Sequence, residues 1–220
     1  MKTFYQRRPV VEEDGNEWLV TFADAMTLLL AFFVLLVSIS KIDLVTFEQV
    51  QAGIARDLGQ RTVARPAAQL RAQLEAMVDS LGVADAVRVD KYARGITLEL
   101  ASDTFFRRGS AEIRPESRTI LARFSETLVA PRYSKFKIAV EGHTADTKPR
   151  IARYATNWDL SGARAANIVH LFTEADIPAA RLRAVALADT MPKLPNRDAA
   201  GNALPENQAK NRRMVIRIHR

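Results

Sequence analysis

The stretch Trp18–Ser40, WLVTFADAMTLLLAFFVLLVSIS, limits what this chain can be more than any other part of it. Eighteen of its 23 residues are apolar, and Asp24 is its one ionisable group. At ~1.5 Å per residue an α-helix of that length reaches ~34 Å, enough for the ~30 Å hydrocarbon core of a bilayer. A core helix of a soluble domain is rarely apolar on every face over such a length. Trp18 and Lys41 stand at the two ends as interfacial anchors. A cleavable leader is the rival, with Ser38-Ile39-Ser40 as a small-x-small site. The apolar run exceeds the usual ~7–15 residues of a leader, however, and it contains an acid. The segment therefore reads as a transmembrane helix. Lys2, Arg7 and Arg8 precede it, whereas only Lys41 follows within the next fifteen residues. That bias puts the N-terminus in the cytoplasm and residues 41–220 on the far side.

Asp24 requires an explanation. A carboxylate at the centre of a membrane helix costs about 2.5–3.5 kcal/mol on insertion scales, so such groups mark ion paths by default. Desolvation favours the neutral form, which suits a group that loads and releases protons. Thr21, Asp24, Thr27, Ala31 and Ser38 fall on one small, polar helical face, with Leu29, Phe33 and Leu36 opposite. Two readings stay open: Asp24 carries an ion, or it bonds this helix to another while the threonines bond back to their own helix. Either one requires a partner helix, because a lone helix neither shields a charge nor forms a pore.

The remaining composition removes several classes. There is no Cys, which excludes disulfide scaffolds, thiolate zinc sites and cysteine nucleophiles. His143, His170 and His219 are too few for a histidine-rich metal centre, and no metal or cofactor is expected. No nucleophile elbow or phosphate loop is present, so an enzyme is not expected. His143 has no serine or carboxylate to complete a triad and reads as structural. Residues 41–220 carry 29 basic against 20 acidic side chains. The excess is spread out, with no groove-reading helix or aromatic platform, so nucleic acid is not the expected partner.

Beyond the span, Phe47, Val50, Ile54 and Leu58 form an amphipathic helical pattern ending near Gly59. It reads equally as a surface or pore-mouth helix and as a spacer or dimer contact. Arg61–Ala67, with Pro66, reads as a short joint. Leu70, Leu74, Met77, Val78 and Leu81 make a second helix closed by Gly82. From about residue 86 the pattern becomes mixed. Val87 and Val89 alternate, as do Ile96, Leu98 and Leu100, giving a hairpin with Gly95 in its turn. A helix over 115–129, with Pro115 in its first turn, turns Ile120, Leu121, Phe124 and Leu128 inward. A strand through Phe136, Ile138 and Val140 follows, then a helix marked by Ala165, Ile168, Leu171, Phe172 and Ala175. Leu182–Leu187 reads as a strand, and Met214, Ile216 and Ile218 as the last one. The expected fold is one N-terminal transmembrane α-helix plus an α+β domain, a mixed sheet covered by helices on one face.

Two motif sets then coincide in order. VTFADAMTLLLAFFVLLVSISKID resembles the span of the flagellar stator B subunits, the MotB/PomB family. TFFRRGSAEIRPES (104–117), VEGHTADT (140–147), NWDLSGARA (157–165) and NRRMVI (211–216) resemble the OmpA-like peptidoglycan-binding domain. The resemblance implies a cytoplasmic segment 1–17, a span 18–40, a plug-like segment and linker 41–67, and a periplasmic OmpA-like domain with its leading helix at 68–220. It implies an inner-membrane, single-pass stator subunit that couples H+ or Na+ flow through Asp24 to flagellar torque. The implied partners are peptidoglycan, a second copy of the chain, and a MotA/PomA-like polytopic subunit in a ring, in a 5:2 assembly. Thr21 and Thr27 supply hydroxyl oxygens beside Asp24, and TFAD, MTLL and FFVLL look more like the sodium-type members, so Na+ at Asp24 is the slightly favoured cargo. Phe47, Val50 and Ile54 belong to the implied plug.

For wall binding the resemblance implies Thr144, Asp146, Asn157, Leu160, Arg164, Asn211 and Arg212. Arg164 matches the arginine of the family's LS..RA motif, and a guanidinium fork suits a carboxylate. The family's GHTD is here Gly-His-Thr-Ala-Asp, so its acid arrives one residue late, at Asp146. Either Asp146 shifts into the role or wall binding is weakened. Asn157 also reads as a helix cap with Asp159 in the first turn, Leu160 as core, and Asn211 and Arg212 as fold-maintaining hydrogen bonders. Ala188-Asp189 stands where members often have a glycine before the acid. Other ion-driven motors of this architecture, such as the B component of Zorya-type defence, and a passive membrane-tethered wall anchor are the alternatives.

Overall fold

The computed structural model describes residues 17–39, 66–92, 95–147 and 153–220, which fall into two separate units. The first is a single helix, α1 (Glu17–Ile39). Its stretch Trp18–Ser38 is long and apolar enough to cross a membrane. Its large apolar side chains, among them Phe22, Leu28, Phe33 and Leu36, are exposed within this chain.

The second unit starts with α2 (Pro66–Ser80), whose Ala67, Leu70, Leu74 and Val78 are buried at helical spacing. The expected joint thus ends earlier than its pattern suggests. Pro66 opens the helix at a position where its missing N–H is no loss. Gly82, at φ 64°, ends it: Gly82 N–H donates to Asp79 O and Val83 N–H to Val78 O, a Schellman closure.

Strands β1 (Val87–Tyr92) and β2 (Gly95–Ala101) form the expected antiparallel hairpin. Gly95 pairs with Tyr92 as the first residue of β2, so it belongs to the ladder rather than to the turn. A one-turn helix α3 (Ser102–Phe105) follows directly. Then come α4 (Pro115–Val129), β3 (Lys137–His143), α5 (Asn157–Glu174), β4 (Leu182–Ala188), α6 (Pro205–Asn211) and β5 (Arg213–His219). Helix α5 begins well before the apolar residues that announce it, because its first turn is fixed by caps rather than by burial.

The sheet order is β1-β2-β5-β3-β4, so the last strand in the chain lies in the middle. All neighbours are antiparallel except β3 and β4, the parallel pair that α5 connects. The core lies on one face, where Ile96, Leu98, Leu100, Ile138, Val140, Met214, Ile216 and Ile218 meet the apolar sides of α2, α4 and α5. The other face carries Glu99, Glu141, Arg213 and Arg217, with Arg217 paired to Glu141 and Lys193 to Glu99. The expected mixed sheet with helices on one face is the observed architecture.

Candidate functional site

On α1 the polar stripe exists as a helical face, and its hydroxyls are engaged locally. Thr21 Oγ1 donates to Trp18 O (2.9 Å) and Thr27 Oγ1 to Asp24 O (2.8 Å). This is the local back-bonding that threonine can make to a carbonyl of its own helix. The hydroxyl oxygens keep lone pairs, so the bonds do not remove them as cation ligands. The plug residues Phe47, Val50 and Ile54 lie outside the described residues.

In the second unit the predicted wall-binding residues gather at one end of the sheet, where β3 runs into the loop before α5. Thr156 caps α5: its hydroxyl accepts from Asp159 N–H, and Asp159 returns a carboxylate to Thr156 N–H, a capping box. Asn157 is therefore not the cap. It is the first helical residue, and its Nδ2 donates to Ala145 O (3.1 Å), tying the loop to the helix. Helix and strand approach very closely here. Gly142 lies against Ser161, and Ser161 Oγ accepts from Ala188 N–H (3.2 Å). Ala188 sits at φ 48°, an unfavourable conformation for a residue with a side chain, and its carbonyl accepts from Thr144 N–H.

Two turns into α5, Arg164 is 2% exposed. Its Nε donates to Ser110 O (2.9 Å), and its guanidinium lies over the Phe106 ring at 5.1 Å. Burial pushes it down to about 10, with Asp103 and Tyr154 opposing and Arg212 reinforcing that shift, so it is cationic at neutral pH. Among the described residues that Nε bond is its one hydrogen bond. Its two terminal amino groups are thus left as a fork for a planar anion. Arg212 grips Asp103 across the same end of the sheet, with Nη2 to Oδ2 at 2.7 Å.

The remaining predicted residues take other positions. Leu160 is core. Thr144 is buried, with no hydrogen-bond partner for its hydroxyl among the described residues. Asn211 is fully buried and braces the loop before α6: its Oδ1 accepts from the N–H groups of Lys193 and Leu194, and its Nδ2 donates to Leu194 O. Asp146 is tied inward, its Oδ2 accepting from Arg197 Nε (2.6 Å) and its Oδ1 from Gln208 Nε2 (2.8 Å). Sequence reasoning missed Asp103, Phe106, Tyr154 and Arg197. Phe106 lies inside the motif 104–117, whereas Arg197 is far from Asp146 in sequence and gives no spacing signal.

The described residues thus combine one helix long and apolar enough to cross a membrane with a β/α domain that holds a buried arginine fork at one end of its sheet, the arrangement of an OmpA-like domain. The family model described as membrane MotB of the proton-channel complex MotA/MotB matches residues 6–58, and that of the OmpA family matches residues 105–212. The uncharacterized protein YtxE of Bacillus subtilis (strain 168) is 29% identical over 226 residues, covering 94% of this chain and 89% of that protein. Motility protein B of the same organism is 24% identical over 249 residues, covering 94% and 92%. Among solved structures, a MotB-like protein from Desulfovibrio vulgaris superposes with a TM-score of 0.62 at 28% identity, over 70% of this chain and 91% of that one. The cell wall anchor of the T6SS from Pseudomonas aeruginosa gives 0.56 at 29%, over 65% and 94%. These matches together support a MotB-family protein with an OmpA-like domain after its apolar helix. The family is structural rather than enzymatic.

Proposed function

We propose that this protein is a wall-anchored stator subunit of an ion-driven motor. Its OmpA-like domain holds peptidoglycan outside the inner membrane, and α1 carries H+ or Na+ through Asp24. The observation that carries the reading is Asp24 itself: a carboxylate in a 23-residue apolar helix, attached to a domain whose fork suits a wall-peptide carboxylate. In this reading the N-terminus is cytoplasmic, two copies of α1 sit inside a ring of MotA-like subunits in a 5:2 assembly, and residues 43–59 act as the plug. One charge falling through 100 mV releases about 2.3 kcal/mol, which can bias a two-state movement of the ring only through a group that changes charge with the ion.

Complementation with Asp24→Asn and Asp24→Glu, scoring swimming and membrane assembly together, tests it. Asn should abolish motion while the protein still assembles and still binds wall, and Glu should retain part of the motion. Full motility with Asn would remove Asp24 as the coupling group. A passive anchor is the second reading. It is favoured by the likeness to the T6SS wall anchor and by the two threonine hydroxyls bonded back into their own helix. An anchor tolerates Asn without loss.

A further inference from the structure

A site for a zwitterionic peptide needs an anion beside the arginine, and the two candidate acids at this end of the sheet are not equivalent. Asp146 has both carboxylate oxygens occupied, by Arg197 and Gln208, and its side chain is 19% exposed. Its place two residues after Thr144 in sequence is therefore no guide to availability. Asp103 differs in being more exposed and in having, among the described residues, one partner, Arg212, on both of its oxygens. It sits in the one-turn helix α3, and Phe106, the ring on which Arg164 lies, closes that turn through its N–H to Ser102 O. Asp103 and Arg164 are thereby held against the same short element.

The Asp103 side chain is 50% exposed. Arg212 approaches it as a fork, with Nε between its two oxygens (3.2 and 3.1 Å) and Nη2 on Oδ2 (2.7 Å). A carboxylate offers about four lone-pair positions, so a fork on one edge leaves acceptor capacity toward solvent. Asp103 is also the leading charge that supports the protonated state of Arg164. The arrangement alternates in sign, Arg164, Asp103, Arg212, over three elements distant in sequence. That pattern sets an anion within electrostatic reach of a cation about one short helix, the complement of an amino acid that keeps both its ammonium and its carboxylate.

We propose that Asp103, rather than Asp146, is the carboxylate that receives the ammonium of a wall-peptide amino acid while Arg164 holds its carboxylate. This rests on the wall-binding reading above. Asp146 then serves the fold instead, fastening the loop after β3 to the segment before α6 through Arg197 and Gln208.

The test uses the full-length protein in detergent micelles with two probes, a synthetic wall peptide whose central diamino acid ends its side chain in a free ammonium and a free carboxylate, and the same peptide acetylated on that ammonium. Retention on purified peptidoglycan sacculi is measured alongside. The wild type should retain sacculi and prefer the free-amine peptide by about tenfold or more, as a charge-assisted contact would give. Asp103→Asn should bring that preference close to one, Asp103→Glu should keep part of it, and Asp146→Asn should leave it unchanged. Full preference in Asp103→Asn, or its loss in Asp146→Asn, overturns the assignment while wall binding stands. Failure of the wild type to retain sacculi overturns the wall-binding reading and the assignment together.

Discussion

Replacing Gly142 by alanine probes the contact that seats α5, and with it Arg164, on the sheet. A Cβ built on Gly142 would lie 2.8 Å from the carbonyl carbon of Ser161 and 3.0 Å from its Cα, and closer still to its carbonyl oxygen. Ordinary carbon–oxygen contacts between backbones are about 3.3–3.6 Å, so α5 would have to retreat by roughly 1 Å. No side-chain rotation relieves the clash, because every atom met is backbone. Retreat is resisted by Ala165, Ile168 and Phe172 in the core and by the bond from Ala188 N–H to Ser161 Oγ. Overpacking of this kind costs about 1–3 kcal/mol, and a backbone clash belongs at the upper end. A domain of this size loses about 2–4 °C per kcal/mol, so Gly142→Ala should lower Tm by roughly 6–12 °C. Thermal unfolding followed by circular dichroism reads the first effect. Retention on sacculi should fall too, because Arg164 travels with the helix. A Tm within about 2 °C of wild type, with full retention, would refute the close seating of α5 on β3.

Two further outcomes follow from buried charges away from the site. Arg181 donates Nε to Phe136 O and Nη2 to Leu128 O and Tyr133 O. Arg181→Met would leave buried carbonyls unpaired and should cost about 3 kcal/mol in urea unfolding, with Arg181→Lys intermediate. At Glu141, burial pushes the carboxyl up, but polar contact with His143 and the hydrogen bond and charge of Arg217 outweigh it and hold the group below its ordinary value of 4.5. A depressed folded-state value means stability that is present above the ordinary value and is lost as pH falls through the folded one. Unfolding midpoints should therefore drop on acidification below about 4.5, and less steeply in Glu141→Gln.

The sequence disclosed elements where burial alone makes them. Ile96, Leu98 and Leu100 alternate because β2 has one face in the core, and Leu70, Leu74 and Val78 recur because α2 lays one stripe on the sheet. Helix α5 hides its start, since Trp158 and Asp159 face solvent; the legible signal is the capping pair Thr156 and Asp159. The candidate site was legible in the placement of Arg164 on the helix after β3, because its motif lies within that helix. It was not legible at Asp146, whose partners Arg197 and Gln208 come 51 and 62 residues later. Nor was it legible at Asp103, which depends on a one-turn helix without periodicity. Pairing between distant polar groups leaves no trace in local pattern, and it decides which acid is available.

The central place of β5 has a consequence for how the protein is made. Residues 213–219 pair with β2 on one side and β3 on the other, so until they arrive the hairpin and the β3–α5–β4 unit have no shared ladder. The domain cannot mature progressively as the chain emerges. It must wait for its final strand, and such non-local closure is slow. During that interval β2 and β3 both present open edges, the condition that invites mispairing or proteolysis. A lesion that removes the last strand would therefore leave α1 intact and the sheet that follows without the ladder that joins its two halves.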